Sequence, residues 1–168
     1  MIKVCGTASS FFAVAASALR TRPDGRAWRE TLMALALFAL LAGLVSALSE
    51  AFTFSLPTGL EGVFPLIPVV FIVPALFEEM VFRVSLPALT GGTRLADALA
   101  LGLFILWHPV QVWLGLPLAQ PLFLDPVFLT LAGLLGLSCA ILYRRSGSVW
   151  PAVILHGGVV AGWKLLFV

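Results

Sequence analysis

Residues 62–90 read GVFPLIPVVFIVPALFEEMVFRVSLPALT, an apolar stretch that is interrupted by two adjacent glutamates and one arginine. A helix needs roughly 17–25 residues to cross the hydrocarbon core of a bilayer. This stretch is long enough, and it lacks the alternation of period two that is typical of barrel strands. It therefore predicts a membrane-spanning helix that carries ionisable groups inside the membrane.

The rest of the chain has the same apolar character. Hydrophobic residues make up 61% of the 168 residues and charged residues only 11%, whereas soluble domains have about 25% charged residues. So few charges cannot cover the surface of a soluble domain, which excludes a soluble enzyme and a disordered protein. The net charge of +2 gives no reason to expect a nucleic-acid partner. The partner that we expect is the lipid bilayer.

Further apolar runs predict the other helices, and they lie at residues 31–49, 95–114, 126–143 and 146–163. Residues 4–19 are apolar but short, and their Ala16-Ser17-Ala18 resembles a signal-peptidase site. The arginines that follow argue against translocation, so we expect a retained short helix that is interfacial or spanning. The predicted fold class is an all-α, polytopic membrane helix bundle with five to six transmembrane helices. We expect one domain over residues 1–168, with a short helix and a basic loop in residues 1–30.

Along the chain, loops that contain arginines alternate with loops that contain no basic residue. Arginines precede the first long span, follow the second and follow the fourth, and they are Arg20, Arg22, Arg26, Arg29, Arg94, Arg144 and Arg145. The loops at residues 50–62 and 115–125 contain no basic residue. Basic loops stay in the cytoplasm, so this pattern places the carboxyl terminus outside. The predicted location is the bacterial cytoplasmic membrane.

The ionisable residues far from the ends of the predicted spans are Glu78, Glu79, Arg83, His108 and His156, and Lys164 follows at the end of the last span. A charge near the bilayer centre costs roughly 2.5–3.5 kcal/mol on insertion scales, so such groups face the protein interior or a water cavity and are commonly functional. Glu79 and Arg83 share a helix face at i, i+4 spacing, which leaves Glu78 available for chemistry. The alternative is a purely structural ion cluster. Cys5 and Cys139 lie in apolar stretches and are expected to be packing residues.

These residues also form three motifs in order along the chain. Residues 78–83 match E-E-x-x-x-R, Phe104 to His108 matches F-x-x-x-H, and Ser146-Gly147-Ser148-Val149-Trp150-Pro151 followed by His156 resembles the entry to a third motif helix. Together they resemble the CPBP family, which comprises the CAAX prenyl endopeptidases and the bacteriocin-processing glutamic intramembrane proteases. The resemblance implies a four-helix catalytic core at residues 65–168. The short chain also resembles small bacterial members that process C-terminal sorting signals.

The resemblance assigns roles to the motif residues. Glu78 would be the general base that activates a water molecule, and His108 would orient that water. Glu79 and Arg83 would fix the helix and set the local field, and His156 would stabilise the developing oxyanion. The implied activity is an intramembrane endopeptidase that cleaves a membrane-associated protein or peptide close to its C-terminus.

One position departs from the family pattern. The third motif usually continues as H-x-x-x-N, but Val160 stands four residues after His156 and the chain contains no asparagine. Gln111 shares a helix face with Phe104 and His108, so Phe104 and Gln111 are expected to support the substrate and the oxyanion. A backbone N–H near Gly157 or an ordered water molecule are the alternatives.

One other chemistry and two non-enzymatic functions stay open. One glutamate and two histidines can form a zinc site, but the chain lacks H-E-x-x-H, so we expect no metal and no other cofactor. Intramembrane Glu and His residues also form proton relays, which would suit a small proton-coupled transporter. Val160 would suit a non-catalytic membrane scaffold or immunity-type relative.

Overall fold

The structure is a computed structural model of the chain and describes residues 8–48 and 65–166. Six helices occupy these residues, and they are α1 (Ala8–Arg20), α2 (Gly25–Leu48), α3 (66–89), α4 (Arg94–Trp113), α5 (Pro126–Ser146) and α6 (Trp150–Leu166). One 3₁₀ turn, Pro121–Leu124, precedes α5, and the described ranges contain no strand. The predicted all-α bundle is therefore confirmed. Cys5 and the whole loop at residues 50–62 lie outside the described residues.

Three of the described helices have the length and hydropathy of membrane spans. These are α2, α4 and α5, while α6 is a shorter apolar helix. Leucines on the surface of α2 are widely exposed, as a lipid-facing helix requires: Leu40 is 73% exposed and Leu44 is 54% exposed. The chain is an integral membrane protein. The number of spans, five to six, stays a prediction.

Local sequence signals set the helix ends. The side chains of Asp24, Thr93 and Asp125 accept hydrogen bonds from backbone N–H groups in the first turns of α2, α4 and α5. Gly147 has a φ of 67° and ends α5 in the left-handed conformation. The apolar run alone predicts that the last helix begins at Ser146, but this helix begins at Trp150.

Helix α3 is continuous but has two wide, π-helical segments, Phe71–Phe77 and Met80–Ser85. Pro74 lies inside the first segment and has no N–H to donate to the preceding turn. The two segments flank Glu78 and Glu79 directly. Such widened turns are frequent at functional sites, and neither their position nor their extent is visible in the sequence.

Helix α6 is central to the bundle and packs against α2, α3 and α5. Cys139 of α5 is fully buried against Ala152 and Leu155 of α6, which confirms its packing role. Helix α1 packs against the second half of α3, and its Ala18 is buried beside Val84. The short N-terminal helix is thus part of the packed bundle.

Arginines tie three helices together at one end of the bundle, which we call the arginine end. Here α2 and α4 begin and α5 ends. Glu30 accepts hydrogen bonds from Arg26 at 2.9 Å and from Arg145 at 2.7 Å. Arg144 forms an ion pair with Asp97 and donates to the carbonyl oxygens of Gly92 and Thr93. Arg26, Arg144 and Arg145 were expected in loops, but they lie in the first turn of α2 and the last turn of α5, because both helices extend beyond their apolar runs.

The contact between α3 and α6 depends on a glycine. A Cβ atom at Gly157 would lie 2.5 Å from the ring of Phe71, whereas a Cβ at Gly162 would have no described atom within 4 Å. We expect Gly157→Ala to lower stability by about 1–3 kcal/mol because the aromatic ring has to move. Gly162→Ala on the same helix should leave stability unchanged or raise it by up to about 1 kcal/mol. Thermal unfolding in detergent compares the two variants, and equal melting temperatures would contradict the packing.

Candidate active site

Helices α3, α4 and α6 bring Glu78, His108 and His156 to the wall of one cavity. Its volume is about 940 Å³, and its lining is predominantly apolar. The three side chains are nearly buried, with relative exposures of 7%, 7% and 2%. The residues that the sequence separates by 30 and 48 positions therefore line one shared cavity.

Glu79 connects α3 to α6 and does not face the cavity. Its Oε2 accepts a hydrogen bond from Nε of Arg83 at 3.2 Å, so the expected i, i+4 ion pair is present. Its Oε1 lies 2.9 Å from Nδ1 of His156. A carboxylate can only accept, so His156 donates from Nδ1 and its orientation is fixed by Glu79.

The two carboxylate oxygens of Glu78 differ in their hydrogen bonding. Oε1 accepts a hydrogen bond from Nε1 of Trp107 at 3.1 Å. Oε2 is buried and has no hydrogen-bond partner among the described residues. The nearest charged-group contact of Oε2 is Nε2 of His156 at 3.9 Å, which is too long for a hydrogen bond. A carboxylate oxygen in this position can accept a proton from a molecule that enters the cavity.

The tautomer of His108 follows from its backbone contact. Nδ1 lies 3.0 Å from the carbonyl oxygen of Phe104, which can only accept a hydrogen bond. Nδ1 therefore carries the proton, and Nε2 of the neutral ring has a free lone pair. The rings of Phe104, Phe123 and Phe128 surround the imidazole, with centroid separations of 5.0 to 5.3 Å. This packing restricts the rotation of the ring.

Phe104 is the packing centre of the cluster. Its ring has edge contacts with His108 and His156, and the guanidinium carbon of Arg83 lies 4.5 Å from its centroid. Arg83 is 2% exposed, and its two terminal nitrogens have no hydrogen-bond partner within the described part of the chain. Gly136 of α5 provides the space, because a Cβ there would lie 2.8 Å from Nη2 of Arg83. Phe104 thus supports the charged residues by direct contact.

Gln111 and Val160 both line the cavity. Gln111 is buried and follows His108 by one helical turn of α4, while Val160 follows His156 by one turn of α6. The cavity therefore contains one amide side chain, and that amide comes from α4.

Metal binding requires several acidic or imidazole groups to lie close to one another. Within residues 8–48 and 65–166, no three His, Cys, Asp or Glu side chains are close enough together to hold an ion. Glu79 is already paired with Arg83 and His156. The metal-free site stays a prediction.

Trp107 is a residue of the site that was not predicted from the sequence. Its indole N–H reaches across from α4 to Glu78 on α3, which is a contact between residues 29 positions apart. A signal was available, because a tryptophan in the middle of an apolar span needs a partner for its N–H. The sequence could not say which acceptor that would be.

The comparisons with known proteins identify the family of the chain. No curated protein and no solved structure matches the chain. The family model described as Type II CAAX prenyl endopeptidase Rce1-like matches residues 60–162, which include α3 to α5 and most of α6. Because this match covers more than half of the 168 residues, the chain belongs to the Rce1-like Type II CAAX prenyl endopeptidase family.

Proposed function

We propose that the protein is an intramembrane endopeptidase in which Glu78 activates a water molecule. The family is one of proteases, which supports peptide hydrolysis. The observation that carries the catalytic assignment is the state of the Glu78 carboxylate. Trp107 holds Oε1, while Oε2 is buried at the cavity wall with no partner among the described groups.

In this proposal, Glu78 and His108 hold the attacking water between them. The water donates one hydrogen to Oε2 of Glu78 and the other to Nε2 of His108, since both atoms carry free lone pairs. Its own lone pair is then directed away from both acceptors and toward the substrate. This geometry prepares the oxygen atom for attack on a peptide carbonyl carbon.

The reaction then needs no co-reactant. The water oxygen bonds to the carbonyl carbon, and its proton passes to Glu78. Glu78 delivers the proton to the peptide nitrogen as the C–N bond breaks, which releases a carboxylic acid and an amine. His156, held at Nδ1 by Glu79, donates from Nε2 to the oxyanion when its ring is protonated.

We assign the remaining oxyanion donor to Gln111. Val160 offers no hydrogen bond at the usual asparagine position, and loss of one such donor typically costs a factor of about 10²–10³ in rate. Gln111 lines the same cavity and carries two amide N–H donors. Phe104 contributes by holding His108 and His156 in place.

The proposed substrate is a membrane-associated protein or peptide, cleaved close to its C-terminus in the bacterial cytoplasmic membrane. The apolar cavity wall supports an apolar sequence beside the scissile bond, because a charged residue would lose its hydration there without a partner. No metal and no organic cofactor take part in this mechanism.

The test is a comparison of protein termini in membranes with and without this chain. Mass spectrometry should find new carboxyl termini in the membrane fraction only when the wild-type chain is present. The same termini in both samples would contradict the protease function. In that case, proton flux in proteoliposomes would identify a carrier, and a normal phenotype for Glu78→Gln would identify a non-catalytic scaffold.

Trp107 provides a sharper test of the geometry. Trp107→Phe keeps an aromatic ring but removes the N–H that holds Glu78. A hydrogen bond to a charged group is worth about 1.5–3 kcal/mol, so kcat should fall about ten- to a hundredfold with KM little changed. Trp113→Phe is the matched control, because Trp113 is 68% exposed on the same helix. Equal kcat values for the two variants would remove Trp107 from the mechanism.

A further inference from the structure

The cavity occupies one half of the bundle. On α3, α4 and α6, the lining residues run from the motif residues away from the arginine end, and the lining residues of α2 and α5 lie in the same half of the bundle. The lining segments are 35–45 of α2, 66–78 of α3, 104–111 of α4, 128–135 of α5 and 156–166 of α6, together with residues 116–123 of the connection between α4 and α5.

The cavity does not extend to the arginine end. Helices α2, α4 and α5 are tied together there by Glu30, Asp97, Arg144 and Arg145. The second half of α3 is packed against α1 and α4. Residues 79–89 of α3 and 136–146 of α5 contribute no lining residue. A substrate therefore has no described route to Glu78 through the arginine end.

The predicted orientation in the membrane indicates on which side of the bilayer the cavity lies. Arginines of cytoplasmic loops remain on the side of synthesis, so the arginine end is cytoplasmic. We propose that the peptide substrate reaches Glu78 from the extracytoplasmic side, through the half of the bundle in which the cavity lies. This inference rests on the proposed function. It defines the substrate as a peptide segment located at the outer half of the membrane or beyond it.

The experiment measures the access of a charged, membrane-impermeant maleimide to single cysteines, in intact cells and in inside-out membrane vesicles. The background is Cys5→Ser, in which the fully buried Cys139 is retained and sets the baseline. The reporters are Val160→Cys in the cavity wall and Leu118→Cys in the exposed loop that lines its outer part. Arg22→Cys, in the exposed connection between α1 and α2, is the matched control for the arginine end.

In intact cells, we expect Val160→Cys and Leu118→Cys to react at least about tenfold faster than Arg22→Cys. In inside-out vesicles, we expect Arg22→Cys to react faster than Leu118→Cys. Reaction of Arg22→Cys in intact cells would overturn the orientation. Reaction of Val160→Cys from inside-out vesicles alone, or from neither side, would overturn entry from outside. Because labelling needs no cleavage, failure here leaves the role of Glu78 intact, and an inactive chain leaves the labelling result intact.

Discussion

Replacement of Glu78 by glutamine should abolish peptide cleavage while the protein remains folded. Glutamine cannot take the proton of the attacking water, and loss of a general base lowers rates by about 10²–10⁴-fold. The amide oxygen can still accept the hydrogen bond from Trp107, so the packing between α3 and α4 is retained. The measurement is the formation of the new carboxyl terminus by purified protein in liposomes, together with thermal unfolding in detergent.

The matched control is Glu30→Gln. Glu30 also accepts hydrogen bonds from neighbouring side chains, but it lies at the arginine end and does not line the cavity. Its cleavage rate should equal that of the wild type. If Glu78→Gln continued to process substrate at a comparable rate, Glu78 would not be the base, and the glutamate-and-water mechanism would fail.

Replacement of Glu79 by alanine should instead prevent stable folding. Arg83 is 2% exposed, and Glu79 supplies its only hydrogen bond within the described residues. Removal of one partner from a buried ion pair typically costs about 3–5 kcal/mol, because the other charge stays buried without compensation. The yield of monodisperse protein in detergent and its melting temperature report the loss.

The chain contains a natural comparison for this pair. Arg26 and Glu30 have the same i, i+4 spacing on α2, but the Arg26 side chain is 63% exposed. Arg26→Ala should therefore cost only about 0–1 kcal/mol. The double variant Glu79→Leu, Arg83→Met should recover stability, because neither charge is buried, yet it should not cleave, because His156 has lost its partner. Similar melting temperatures for Glu79→Ala and Arg26→Ala would contradict the structural role of the pair.

The sequence predicts the helices well because polar residues mark their ends. Asp125 with Pro126 fixes the start of α5 at the predicted residue, and Thr93 with Arg94 fixes the start of α4 within one residue of the prediction. The start of α2 was wrong by six residues, because this helix includes a basic first turn that precedes the apolar run. The start of α6 was wrong by four residues, because the apolar run does not reveal that Gly147 adopts a positive φ. The wide turns around Glu78 were missed for a similar reason, since they depend on how α3 packs and not on its composition.

The residues of the candidate site could be predicted from the sequence, but the contacts between those on different helices could not. An ionisable residue in an apolar span is visible in any sequence, and the i, i+4 pairing of Glu79 with Arg83 follows from helix geometry. Contacts between helices depend on the rotation of each helix about its axis. That rotation is set by close approaches such as Gly157 to Phe71 and Gly136 to Arg83. The pairing of His156 with Glu79 and of Trp107 with Glu78 could therefore be read only from the structure.

The ion pairs at the arginine end also determine how the bundle can move. In the described part of the chain, every ion pair lies either at that end or in the buried cluster, and none joins the helix ends around the outer part of the cavity. Ion pairs therefore hold the helices together at the arginine end, and in the described part of the chain none does so at the outer end. We expect thermal fluctuations to be largest at the helix ends around the outer part of the cavity. A bulky peptide could then enter there while the arginine end keeps its position.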